Sequence, residues 1–221
     1  EIAKARYGVS IQELSRRLSK HTGGTFTKRL NELEAAGFIQ RYIPYGKTKR
    51  EHFCKVIDEY TLFYLTWIEQ YQQREIIDEQ SNHWHLASQT PAWKSWAGYA
   101  FEAICYKHIH QIRSALKLTD IHCRIGNWRY LPKKANEESG AQIDLIIERN
   151  DGIVNLCEIK YSDNKLTINK SLARNLMKKS EVYEAQFPST KHLSLVIITT
   201  QGLKNNLWST DLIDNLVVLD D

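Results

Sequence analysis

The chain has 221 residues, 42% of them apolar and 25% charged, with a formal net charge of +4. That apolar fraction fills real cores, which excludes a disordered or fibrous chain, and the length suits one ordinary domain or a small one joined to a medium one. The longest apolar runs, such as residues 193–198 and 217–219, fall far short of the ~20 residues that cross a bilayer. No charged, apolar and small-residue signal segment opens the chain, so the sequence predicts a soluble, cytoplasmic protein with no membrane partner. It begins at Glu1 and holds one methionine, Met177, and reads as a fragment whose natural N-terminal part lies upstream.

Charge is uneven along the chain. Residues 1–57 hold 12 Lys/Arg against 5 Asp/Glu, whereas residues 58–221 hold 18 against 21. The basic excess at the N-terminus suggests an anionic partner there, with a solvated basic face as the plain alternative. Cys54, Cys105, Cys123 and Cys157 are scattered without a C-x-x-C pair, which argues against a zinc site or a disulfide framework. His83 and His85, like His108 and His110, stand two apart and on a helix point in different directions, so they read as structural or surface residues.

Ser10-Ile11-Gln12-Glu13 has the spacing of a capping box, and Ile11, Leu14 and Leu18 follow at helical intervals. After a break at His21-Thr22-Gly23-Gly24, Phe26, Leu30 and Leu33 share one face of a second helix that Gly37 ends. Residues 38–43 then read as a strand, 44–50 as a basic loop and 52–57 as a returning strand. Two helices followed by a hairpin resemble a winged helix-turn-helix domain. The resemblance implies groove-facing roles for Thr25, Thr27, Lys28, Arg29 and Glu32, and places Lys47, Lys49 and Arg50 on the wing. Glu32 and Glu34 weaken a DNA-binding reading, and contact with protein is the other. An apolar, aromatic helix is expected over 58–80, completing a first domain of residues 1–80; residues 81–92 have no clear period and read as a linker.

From residue 93 to 221 the expected order is helix (97–116), three strands, helix (165–187), strand (193–200) and a short edge strand (216–219). The first strand covers 121–131. The strands 142–148 and 153–161 are joined by Asn150-Asp151-Gly152. If those three residues form the loop, counting back puts Asp144 opposite Glu158, with Lys160 on the same face; a two-residue Asp151-Gly152 turn would put Asp144 opposite Ile159 and split the pair. Facing carboxylates repel unless something positive sits between them. A hard divalent cation suits that position, since Mg²⁺ accepts one or two carboxylates and keeps several waters. A backbone carbonyl, that of Ile159, would add to the site, and Lys160 would offset charge on phosphate. A Lys160–Asp144 salt bridge is the plain alternative. Arg174, Lys178 and Lys179 on the later helix read as a solvated face, with approach to a nucleic-acid backbone as the alternative.

Phe101-Glu102 on the helix, Asp144 in one apolar strand and Glu158-Ile159-Lys160 in the next resemble the PD-(D/E)xK nuclease superfamily, with its restriction-endonuclease-like αβββαβ fold, over residues 93–219. Ile143 stands where that family often has proline. The resemblance implies catalytic roles for Glu102, Asp144, Glu158 and Lys160, and a Mg²⁺ or Mn²⁺ cofactor on Asp144, Glu158, Glu102 and the Ile159 carbonyl. Joined to the winged helix, to Asp58-Glu59-Tyr60 and to Trp96-Ala97-Gly98-Tyr99, the whole is similar to the C-terminal region of prokaryotic AAA+/STAND-type ATPases. No G-x-x-x-x-G-K-[ST] occurs, so any ATP site belongs to an upstream ATPase domain of the same chain. The fold class expected is therefore α+β overall, a small winged helix-turn-helix domain before an α/β nuclease-like domain. The leading function is a metal-dependent deoxyribonuclease acting on DNA. A non-catalytic DNA-binding or regulatory module of the ATPase is the alternative, a transcription regulator a third reading, and pairing of copies to cut both strands stays open.

Overall fold

In the computed structural model, residues 1–5, 8–18, 23–48, 51–69, 82–130, 132 and 140–220 are described. Ser10 closes the short strand β1 (Val9–Ser10) and caps helix α1 (Ile11–Arg17), its hydroxyl accepting from the Glu13 N–H at 3.1 Å. Helix α2 (Gly24–Ala35) buries Leu30 and ends where the Gly37 N–H bonds the Glu34 carbonyl and the Phe38 N–H bonds that of Leu33, the paired closure of a Schellman motif. Strands β2 (Ile39–Tyr42) and β3 (Phe53–Val56) pair antiparallel, and β1 adds to the far side of β3. With only two residues, β1 leaves no alternation for a sequence to display.

Asp58 caps helix α3 (Glu59–Phe63), which continues as a π-helical turn, Tyr64–Ile68. The rest of the helix expected to residue 80 lies outside the described residues. Helix α4 (His83–Ser88) and the start of helix α5 (Pro91–Lys107) occupy the expected linker. Thr90 accepts from the Trp93 N–H, and Pro91 stands in the first turn, where its missing N–H has no helical partner to lose. One core gathers Val9, Leu14, Leu30, Ile39, Cys54, Val56 and Leu62 with Ala103 of α5.

The chain divides into two compact units, Glu1–Ile43 with Lys47–Lys107, and Pro44–Gly46 with His108–Asp221. The division therefore falls inside the helix expected over 97–116. That stretch is two helices, α5 and α6 (Ile109–Ala115), separated at His108, whose ψ of 33° is not helical. The apolar rhythm of Phe101, Cys105 and Ile112 runs across the break, so periodicity reads one helix.

The second unit is built on a five-stranded sheet in the order β4 (Cys123–Tyr130), β5 (Ala141–Arg149), β6 (Ile153–Lys160), β7 (His192–Thr199), β8 (Asn215–Val218). The first three strands are antiparallel; β6, β7 and β8 are parallel. Parallel neighbours need a crossover, supplied by helix α7 (Lys170–Gln186) and by the short helix α8 (Leu207–Leu212), which the sequence reading lacks. Val196, Ile197, Ile198 and Thr199 are all buried, as befits a strand covered on both faces. Ala173, Leu176 and Tyr183 form the buried stripe of α7, with Tyr183 against Ile146, Val154 and Leu156 of the sheet. With two sheets among helices, the protein is of mixed α+β class.

Pro44–Gly46, in the middle of the expected basic loop, belongs to the second unit. Tyr45 is 9% exposed; its hydroxyl donates to Glu148 Oε2 at 2.9 Å and accepts from the Tyr183 hydroxyl at 3.2 Å, and its ring meets that of Phe187 edge-on. Gly46, at φ +78°, lets the turn close against that ring, since a Cβ there would lie 2.6 Å from Phe187 Cζ.

Candidate functional site

Asn150, Asp151 and Gly152 join β5 to β6, with Gly152 at φ +92°, a backbone shape that glycine adopts without strain. The ladder leaving this loop pairs Glu148 with Val154, Ile147 with Asn155 and Leu145 with Cys157. Asp144 and Glu158 are the next residues beyond the last pair, Leu145 with Cys157, and that register carried one step further would set them opposite each other. This is the pairing of a three-residue loop, and the two-residue alternative does not occur.

Both carboxylates are inside the protein, Asp144 at 6% and Glu158 at 3% exposure. Asp144 Oδ2 accepts from the Ile159 N–H at 3.0 Å, and Gln142 Nε2 approaches Oδ1 at 3.4 Å. Burial pushes the Asp144 carboxyl up to about 6, the charge of Glu158 adds to the rise, and Lys179, the Ile159 N–H and Lys160 oppose it. Glu158 is held at both oxygens. Lys160 Nζ lies 2.7 Å from Oε1, and Lys179 Nζ, from α7, bonds Oε2. The side chain of Lys160 is 41% exposed and that of Lys179 only 16%, so one lysine faces water and the other comes from beneath the helix.

Thr199 stands opposite Lys160 in the parallel pairing of β6 with β7 and is fully buried. Its Oγ1 has no hydrogen-bond partner among the described residues, a polar atom available beside the lysine. Two hard-oxygen carboxylates suit Mg²⁺ or Mn²⁺, which keep waters in the remaining positions. The donor set fits such a cation sparingly: among the described residues no three His, Cys, Asp or Glu side chains gather as ligands.

Glu102 lies on α5 in the first unit, whereas Asp144, Glu158 and Lys160 lie in the second. Within its own unit its charge acts on Lys55, whose ammonium burial pushes down to about 7 and Glu102 partly restores. On α2, Thr25, Thr27, Lys28, Arg29 and Glu32 are all exposed, with Lys28 Nζ 3.9 Å from Glu32. Lys47 is bound to Glu51 at 3.0 Å, while Lys49 and Arg50 lie outside the described residues. Glu34 is engaged by Arg41, through the backbone N–H at 2.9 Å and Nε at 2.6 Å.

Lys179 is the residue that sequence reasoning missed. The signal was present: Leu176 and Tyr183 mark the buried stripe of α7, and Lys179 falls three residues after one and four before the other, which is the same face of a helix.

No helix among the described residues is long and apolar enough to cross a membrane. The model of the DUF234 family, described as Archaea bacterial proteins of unknown function, matches residues 64–176. The match takes in Glu102, Asp144, Glu158 and Lys160 and stops short of Lys179. No curated protein and no solved structure matches the chain.

Proposed function

The chain belongs to the DUF234 family, and from that premise we propose that its second unit is a metal-dependent deoxyribonuclease centre of the PD-(D/E)xK kind. The observation that carries this reading is that Asp144 and Glu158 are both buried on neighbouring strands of one hairpin, with Lys160 two residues beyond Glu158 and its Nζ on Glu158 Oε1. In this reading the first unit is a winged helix-turn-helix that offers Thr25, Thr27, Lys28 and Arg29 to duplex DNA and Lys47, Lys49 and Arg50 to its backbone. In this reading the whole would lie downstream of an ATPase domain, as the resemblance to ATPase C-terminal regions implies.

Asp144 and Glu158 would hold the cation, with the Ile159 carbonyl beside them. A divalent cation, when bound, lowers the pKa of water and neutralises charge on a phosphodiester. Burial of the two carboxylates excludes bulk water and strengthens every charge interaction there. The Ile159 N–H fixes the orientation of Asp144. Lys160, reaching solvent, is the group placed to meet the phosphate as negative charge grows on it. Glu102, in the other unit, acts on Lys55.

A second reading, a non-catalytic DNA-binding or regulatory module, draws on one observation: Lys160 and Lys179 already satisfy Glu158. Nicking of supercoiled plasmid in Mg²⁺ or Mn²⁺ separates the two. The nuclease reading expects nicking that falls about 100-fold or more in Asp144→Asn and Glu158→Gln. A well-folded protein that never nicks with either metal leaves the second reading standing.

A further inference from the structure

Both oxygens of one buried carboxylate are taken by ammonium groups: Lys160 on Oε1 and Lys179 on Oε2. Counting Asp144 and Glu158 as ionised and both lysines as protonated, the set carries no formal charge. Two carboxylates without such lysines would offer an arriving divalent cation a charge of −2. Here a cation arriving alone would leave the set at +2, among carboxylates only 6% and 3% exposed, where water screens repulsion poorly. A phosphodiester brings one negative charge and lowers that excess. It also gives a displaced ammonium somewhere to go.

The two lysines differ in what they can do. Lys160 already reaches solvent, whereas Lys179 is carried inward by the buried stripe of α7 and closes the second oxygen of Glu158. We propose that Lys179 is a displaceable counter-ion that keeps the site closed to a divalent cation until a nucleic-acid phosphate arrives with it. This rests on the nuclease reading above and adds a condition to it: the protein alone binds the cation weakly, and the cation and DNA strengthen each other's binding.

Titration of Mn²⁺ into the 221-residue protein, followed by the electron-spin resonance of free Mn²⁺, tests this with a readout other than cutting. It is run with and without a short duplex whose linkages are phosphorothioate. Mn²⁺ affinity of the wild type is expected to rise about tenfold or more with the duplex. Lys179→Gln and Lys179→Met should each bind Mn²⁺ about tenfold more tightly than wild type without any duplex, because each removes one positive charge next to the cation. Lys179→Arg, which keeps the charge, should stay as weak as wild type. Circular dichroism and a melting curve check each fold, and either neutral variant decides if the other fails to fold.

A role confined to packing predicts the opposite, weaker binding in all three variants. Mn²⁺ binding that Asp144→Asn abolishes but that both neutral Lys179 variants leave unchanged or weakened overturns the counter-ion proposal alone. No Mn²⁺ binding by the wild type or the neutral variants, with duplex or without, overturns the nuclease reading and this proposal together.

Discussion

Each unit of this protein draws a lysine ammonium inward, fully buried in the first and largely covered in the second, and the two are balanced by different partners. In the first, Lys55 of β3 is 7% exposed, with its Nζ 2.9 Å from the centroid of the Tyr106 ring and 5.4 Å from that of Tyr42. In the second, Lys179 meets a carboxylate oxygen directly. An aromatic face offers a cation only part of what water does, so burial wins at Lys55 and pushes its pKa to about 7, with Glu102 acting against the fall. The lesson is about what each lysine is free to do. Lys55 meets burial by holding its proton less firmly, whereas Lys179 is a charge held against another charge.

The largest expected effect comes from removing the carboxylate that two lysines share. Glu158→Ala leaves a mostly buried Lys179 without its partner and should cost about 3–5 kcal/mol, the penalty of breaking a buried ion pair from one side. Urea unfolding measures it, and a loss below about 1 kcal/mol would mean that Lys179 escapes to water and that the contrast with Lys55 is false.

Lys55→Met works in the other direction. The ordinary lysine pKa of 10.5 falls to about 7 on folding, so between those values the unfolded chain binds a proton that the folded chain has released. Stability therefore rises with pH across that window, and below about 7 the protein carries the full penalty of a buried charge. Met keeps the apolar stem without the charge, so the variant should gain on the order of 2 kcal/mol at neutral pH and lose the part of the pH dependence that Lys55 supplies. Urea midpoints at several pH values check both features; an unchanged slope would show that Lys55 keeps its proton in the fold.

Lys107 supplies the mildest comparison. Its bond to Glu59 is 2.7 Å long, but both side chains are about a third exposed or more. Lys107→Ala should shift stability by about 0.5 kcal/mol or less. A larger loss would show that geometry matters more than burial in ranking these pairs.

The hairpin was legible because its signal is local. Loop length and the two-residue period of a strand fix which side chains share a face, and Asn150-Asp151-Gly152 supplied both the length and the glycine. The Ser10 cap and the Gly37 closure were legible for the same reason. Lys179 was not, because a lysine on a helix reads as solvated unless the apolar stripe on either side of it is traced residue by residue. Nor was the place of α5, since an apolar rhythm says that a helix buries one face without saying which core receives it. Membership in a unit is decided by tertiary packing, which here takes Ala103 into the first core and assigns Glu102 to the first unit and Asp144 to the second.

Tyr45 sets a rule for dissecting the chain. The second unit includes Pro44–Gly46, which the sequence separates from the rest of that unit by more than sixty residues. A gene fragment encoding only residues 108–221 would therefore yield a protein missing an interior piece, with Tyr183 and Phe187 facing a gap where a ring belongs. Such a fragment should aggregate or bind small aromatic compounds, and a failure to cut DNA in that form would say nothing of the intact site.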